Sequence, residues 1–256
     1  MSTNFRTEKC VLVIPARRRS TRLPDKMLLR KTGKTVLQHT FETACQTRCP
    51  EQILIATDDE AIASEAIQFG ARVLITSSDC PSGTDRVAQA VRQLDGGDII
   101  INLQGDEPEI DPRAVDRLAE TLLADRSAAM ATLATPIRER ALLDDPSCVK
   151  VVFDKDGKAL YFSRSAIPHA REWDDRLLQE SPALFHQHIG VYAYRRDLLL
   201  RLATLAPGRF EQLEMLEQLR VLEHGETILV TEIDQPTRGI DTPEDYAAFV
   251  ERRLAG

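Results

Sequence analysis

The run Ala16-Arg17-Arg18-Arg19-Ser20-Thr21-Arg22-Leu23-Pro24-Asp25-Lys26 sets five cations among residues 17–26 of a chain whose net charge is −7. Arginine grips phosphate oxygens in bidentate fashion and lysine meets them as a point charge, so this segment has the chemistry to hold a nucleoside triphosphate. The same donors would steady charge developing on a transferred phosphate and on departing pyrophosphate. A solvated basic loop is the plain alternative. Position argues against it, because the segment follows directly on the apolar run 10–15, and ligands of open α/β sheets bind just outside the carboxyl ends of the strands. Neither GxxxxGK[ST] nor GxGxxG occurs, which sets aside a P-loop and disfavours a nicotinamide oxidoreductase.

Two carboxylates are placed to complement these cations. Asp106 follows the apolar run 98–103 inside Gln104-Gly105-Asp106-Glu107-Pro108, where the glycine lets backbone come close to a ligand. Asp241 immediately precedes Thr242-Pro243-Glu244-Asp245. If the two converge, they form a hard oxygen site for Mg2+, which takes one or two carboxylates together with phosphates and waters. Taken singly, Asp106 reads equally as the close of a turn, and Asp241 as support for a helix end. Glu107 would stand behind them.

Several elements must position these groups. The runs 10–15, 53–57, 72–76 and 98–103 read as buried strands, and 35–47, 59–69, 84–94 and 112–124 carry helical periodicity. That alternation predicts an α/β fold: a mostly parallel Rossmann-like sheet with helices on both faces. After about residue 129 strand-like stretches crowd together at 129–135, 149–153, 158–163 and 188–194, with a hairpin turn at Asp154-Lys155-Asp156-Gly157-Lys158. Residues 169–187 read as a loop or lid, 211–223 as one helix and 227–233 as a strand. Thr242 caps a last helix, Pro243 suits its first turn, and the acids favour its positive end. We expect one domain over 1–256 with a β-rich insertion at about 130–205.

Bulk composition bounds the rest. With 43% hydrophobic residues in 256, the chain can build one sizeable core. Its acidity disfavours nucleic acid and anionic membrane as partners. Five cysteines, odd in number and without CxxC spacing, argue against a disulfide framework or a zinc knuckle. No membrane-length apolar run and no signal-peptide pattern is present, so a cytoplasmic protein is expected.

The basic segment, read as PAR-x-x-STRLP-x-K, resembles the signature loop of the 3-deoxy-manno-octulosonate cytidylyltransferase family. Further stretches fit the same family in order: ATDDE at 56–60, SGTDR at 82–86, NLQGDEP at 102–108, KVVFD at 150–154, YFSRSAIP at 161–168, HIGVYAYR at 188–195, EMLEQLR at 214–220 and GIDTPED at 239–245. The resemblance spans nearly the whole chain. It implies a Mg2+-dependent homodimer that joins CMP, from CTP, to an acidic eight-carbon sugar for lipopolysaccharide synthesis. It implies a catalytic set of Arg17, Arg22, Lys26, Asp106 and Asp241, with Asp106 and Asp241 as metal ligands. For CTP it implies Arg17, Ser20, Lys26, Ser82, Gly83, Thr84 and Gln104; Ser82 or Thr84 could equally be an ordinary helix cap. For the sugar it implies Arg164, His188, Tyr192, Glu211, Glu214 and Gln218. On composition alone, Glu211, Glu214 and Gln218 would read as a solvated face of one helix, and His188 as a satisfied core histidine. Three positions depart from the family: Arg18 stands where an aromatic residue is usual, Asp25 where glycine is usual, and Gln187 where a basic residue often precedes the histidine. These departures leave open another acidic sugar, or a nucleotide-sugar binder without turnover.

Overall fold

The computed structural model describes residues 8–18 and 20–255, so Arg19 of the basic segment lies outside the described residues. The first half alternates as expected: β1 (Cys10–Ala16), α1 (Val36–Ala44), β2 (Pro50–Thr57), α2 (Glu60–Gln68), β3 (Arg72–Ile75), α3 (Gly83–Val91), β4 (Ile99–Asn102) and α4 (Pro112–Ala124). The second half runs β5 (Met130–Pro136), α5 (Arg140–Asp144), β6 (Lys150–Phe153), β7 (Ala159–Ser163), β8 (His186–Arg195), α6 (Arg196–Leu202), α7 (Arg209–Glu214), α8 (Gln218–Glu223), β9 (Ile228–Glu232) and α9 (Pro243–Ala255).

Among the described residues the strands join one sheet in the order β3-β2-β1-β4-β8-β5-β9, with the β6–β7 hairpin attached to β8. Only β8 runs against its neighbours along that path. Successive residues of a strand face opposite sides of a sheet, and here both sides are covered. Leu12 and Ile14 pack with Leu37, Ile62 and Val115 from α1, α2 and α4. Val11 and Val13 pack with Val87 of α3 and Leu199 of α6. This is the mostly parallel, doubly covered architecture that the alternation predicts.

Capping residues fix where the helices begin. Thr35, Asp59, Ser82 and Asp111 each accept a hydrogen bond from a backbone N–H in the first turn of the helix they precede. Thr242 and Asp245 cap α9 reciprocally: Asp245 N donates to Thr242 Oγ1 at 3.1 Å, and Thr242 N donates to Asp245 Oδ2 at 2.8 Å.

The strand-rich stretch contributes β5 and β8 to the main sheet, while β6 and β7 form the anticipated hairpin. Gly157, at φ 78°, makes its turn. Within 169–187, a 3-10 turn at Asp175–Gln179 brings Leu178 against Phe185, Ile137 and Leu143 in a small separate core. One expectation is overturned. The sequence reads as one helix over 211–223, but the chain breaks at Met215, which is left-handed at φ 53°. Tertiary bonds outweigh helix continuity there. Glu214 is drawn to the end of β7 by Ser163 Oγ at 2.6 Å and Arg164 N at 2.9 Å. Glu217 is drawn instead to the start of α3, by Ser82 Oγ at 3.0 Å and Thr84 Oγ1 at 2.6 Å. No helix among the described residues is long and apolar enough to cross a membrane.

Candidate active site

A cleft of about 180 Å³ opens where β1 and β4 end and α3 begins. Arg17, Ser20, Arg22, Lys26, Ser82, Gly83, Gln104, Asp106 and Asp241 all line it. Thr84 does not; it is buried and donates to Glu217. Ser82 is the cap of α3, accepting from Asp85 N at 3.1 Å, and its hydroxyl borders the cleft as well.

The two carboxylates meet on one cation. The Lys26 ammonium donates to Asp106 Oδ2 and, at 3.0 Å, to Asp241 Oδ1. Arg22 Nη2 lies 3.1 Å from the same Asp241 oxygen. Backbone fixes the pairing, since Ile240 N donates to Asp106 O at 2.9 Å and so ties the two loops together. Gly105 is needed for close approach: a Cβ there would stand 2.9 Å from Met27 Sδ and 3.2 Å from Pro15 O. Glu107 is half-buried next to Asp106, and desolvation first, then the neighbouring Asp106 charge, push its carboxyl up to about 8. Its Oε2 has no hydrogen-bond partner.

The donor set suits magnesium. Among the described residues no group of three or more His, Cys, Asp or Glu side chains could hold a metal. A magnesium ion needs only one or two protein carboxylates when substrate phosphates and waters complete its shell. Asp106 and Asp241 share the Lys26 ammonium, so both carboxylates face one cation position.

Two of the three family departures answer each other. Asp25 adopts a left-handed conformation, φ 52°, where glycine is easiest and aspartate is among the residues that tolerate it. Arg18 Nε donates to Asp25 Oδ1 at 2.8 Å. The extra negative charge therefore has its own cation and draws none from the cleft. The third departure, Gln187, sits in β8 paired with Lys150 and Thr135.

The residues expected at the sugar do not line the cleft, and they fall into separate groups. His188 and Gln218, both buried, form a row with half-buried Tyr192: the rings of His188 and Tyr192 are 5.6 Å apart, and Tyr192 OH donates to Gln218 Oε1 at 3.5 Å. Burial lowers His188 to about 3 and raises the Tyr192 phenol. His188 Nε2 is 2.9 Å from Thr132 Oγ1. That hydroxyl's own proton faces the carbonyls of Ile189 and Val191, so the network assigns the imidazole proton to Nε2 and leaves Nδ1 an acceptor. Gln218 Nε2 is buried without a partner. Arg164 and Glu214 bind each other through backbone, Arg164 Nε donating to Glu214 O at 2.8 Å. Glu211 is occupied elsewhere. It holds Arg220 in a buried pair, accepting from Nε at 2.7 Å and from Nη2 at 2.5 Å, and it accepts from Gly208 N at 2.9 Å. The break at Met215 removes the single helix face on which Glu211, Glu214 and Gln218 were expected to stand.

Three residues escaped the sequence reading although they lie inside stretches it singled out. Glu217 joins the start of α3 to the neighbourhood of Gln218, and burial raises its carboxyl. Asn102 accepts from Gln104 Nε2 at 3.0 Å and so orients that cleft side chain. Arg86 lines the cleft, with Nη1 2.6 Å from Thr76 Oγ1 and 3.0 Å from Asp58. Their signal was position within a motif; their role depends on pairings that no spacing reveals.

A family model described as cytidylyltransferase matches residues 11–228. A 3-deoxy-manno-octulosonate cytidylyltransferase of Rhodopirellula baltica is 48% identical, over 95% of this chain and 98% of that protein. One from Idiomarina loihiensis is 46% identical, over 96% and 98%. Among solved structures, a CMP-2-keto-3-deoxy-manno-octonic acid synthetase complexed with CTP superposes with TM-score 0.89 at 40% identity, covering 97% of this chain and 99% of that one.

Proposed function

Because this chain belongs to the 3-deoxy-manno-octulosonate cytidylyltransferase family, we propose that it transfers CMP from CTP to 3-deoxy-D-manno-octulosonate, releasing pyrophosphate. The observation that carries the reading is the meeting of Asp106 and Asp241 on one cation inside a cleft lined by Arg17, Arg22 and Lys26.

In this reading Arg17, Arg22 and Lys26 hold the triphosphate and take up the charge that builds on departing pyrophosphate. Asp106 and Asp241 would hold Mg2+, which when bound neutralises the α-phosphate and favours ionisation of the attacking hydroxyl. Ser82, Gly83 and Gln104 face the nucleotide, with Ser20 beside the phosphates. The sugar's anomeric oxygen attacks the α-phosphorus in line as the bond to pyrophosphate breaks. Catalysis by this chain is then mostly positioning and charge. Neutral His188, with Nδ1 free to accept, and Gln218 suit sugar hydroxyls, while Arg164 suits the sugar carboxylate. His188 and Gln218 are buried and Arg164 is half-buried, and all three lie outside the lining of the triphosphate cleft. Glu211, bound to Arg220, is taken up in a structural ion pair.

The same proposal takes in the domain reading: one domain over 1–256, whose stretch near 130–205 serves the sugar and a homodimer contact. Exposed Leu160, Trp173 and Leu184 in that stretch are apolar surface that a second copy would cover. Five free thiols and a CTP substrate suit the cytoplasm. A product of this kind would feed lipopolysaccharide synthesis.

The test is pyrophosphate release with CTP, Mg2+ and a panel of acidic sugars. 3-Deoxy-D-manno-octulosonate should turn over fastest. Asp106→Asn should reduce turnover by roughly a hundredfold or more, the scale on which loss of one transition-state charge partner is felt, while the protein stays folded. Undiminished pyrophosphate release by that variant removes Asp106 from the metal site.

A further inference from the structure

Lys26 is a cation at the spot where the two carboxylates converge. Its side chain is only 8% exposed, and its ammonium bonds Asp106 and Asp241 together. Two acids in a partly buried cleft repel each other unless a cation lies between them, and here the chain supplies that cation itself. A divalent ion bound by the same two oxygens would be forced against the ammonium.

We propose that Lys26 is an exchangeable placeholder for the metal. In nucleotide-free protein it occupies the cation position between Asp106 and Asp241. When a triphosphate enters, the ammonium transfers to phosphate and releases both carboxylates to the metal. This rests on the reading of the cleft as a metal-assisted nucleotide site, and adds to it an order of assembly: the divalent ion arrives with the triphosphate or after it, not before.

Geometry supports the exchange. The ammonium stands at the tip of a long side chain rooted in a 3-10 turn, Lys26–Leu28, whose preceding residue is the left-handed Asp25. Arg17, Arg22 and Lys26 line the same cleft, so an anion held by the arginines enters the space that the ammonium borders. Arg22 already rests on Asp241 Oδ1 at 3.1 Å, which leaves that carboxylate with a partner during the swap. The device would also keep the carboxylates from binding a metal ion idly, without nucleotide.

The experiment measures Mn2+ binding to full-length, nucleotide-free protein by the loss of the free-ion EPR signal. Wild type should bind weakly without nucleotide, and with CTP should take up more Mn2+ than the same CTP binds in the absence of protein. Lys26→Met should bind Mn2+ without nucleotide about tenfold or more tightly than wild type, because a unit charge a few ångström away no longer opposes the ion. Lys26→Met combined with Asp106→Asn should lose that gain, which ties the ion to these carboxylates. Nucleotide-free Lys26→Met should also melt lower than wild type and recover with Mn2+. Lys26→Gln, which keeps a neutral donor between the acids, should show the same tightening if the methionine variant folds poorly. Equal Mn2+ affinity in wild type and both Lys26 variants overturns the proposal, as does wild-type protein that with CTP takes up no more Mn2+ than CTP alone accounts for. Calorimetric titration of wild type with CTP separates the two readings. Absence of CTP binding sinks the nucleotide site as a whole, whereas normal CTP binding with unaltered Mn2+ affinity in the variants sinks the exchange alone.

Discussion

Replacing His188 by glutamine should remove a specific weakness of this protein in mild acid. The imidazole is buried in β8 and bonded to Thr132, and burial lowers it from 6.5 to about 3. Unfolded, it would take up a proton near its ordinary pKa; folded, it resists protonation until far lower pH. A base held below its unfolded pKa contributes no penalty above about pH 6.5, and stability drains away as pH falls from there toward 3. At pH 5 the gap is about 1.5 pH units, worth about 2 kcal/mol at 1.36 kcal/mol per unit. Glutamine does not titrate, and its amide can still donate to Thr132 Oγ1. Urea unfolding of wild type and His188→Gln at pH 7 and pH 5 gives a double difference that cancels every other titrating group common to both proteins. We expect wild type to lose about 2 kcal/mol more than the variant between the two pH values. A double difference below about 0.5 kcal/mol would refute the neutral, buried assignment. With it would go the free Nδ1 acceptor on which the sugar role of His188 depends.

Other substitutions probe the frame around the cleft. Arg220→Met leaves Glu211 buried without its cation, and should cost about 3–5 kcal/mol in chemical denaturation. Adding Glu211→Leu to Arg220→Met should recover much of that loss, since no charge then remains buried. Gly105→Ala should cost about 1–3 kcal/mol and depress turnover, because the new methyl meets Met27 Sδ and Pro15 O. Pairing it with Met27→Ala should restore part of the stability; failure of that rescue would mean the Pro15 carbonyl alone sets the limit.

The chemistry of this protein was largely legible in one dimension. Five cations directly after an apolar run, and acids after Gln104-Gly105 and before Thr242-Pro243, follow from residue types and their place relative to strand ends, where phosphate ligands of α/β sheets bind. The alternating runs that give β1 to β4 and α1 to α4 were equally plain, because strands buried on both faces must be continuously apolar. Tertiary structure alone decided which groups would share a partner. Lys26 and Asp106 are 80 residues apart, and Lys26 and Asp241 are 215 apart, so no local pattern could assign one ammonium to both acids. The same holds at Met215, where the pull of Ser163 on Glu214 and of Ser82 on Glu217 breaks a helix that local periodicity favours. It holds for Glu211, which the family resemblance marked as a sugar ligand and which the fold pairs with Arg220. Local sequence sets backbone preference and the chemistry of each side chain. Which charge neutralises which is set by distances across the folded chain, since a partly buried acid needs a cation wherever the fold provides one.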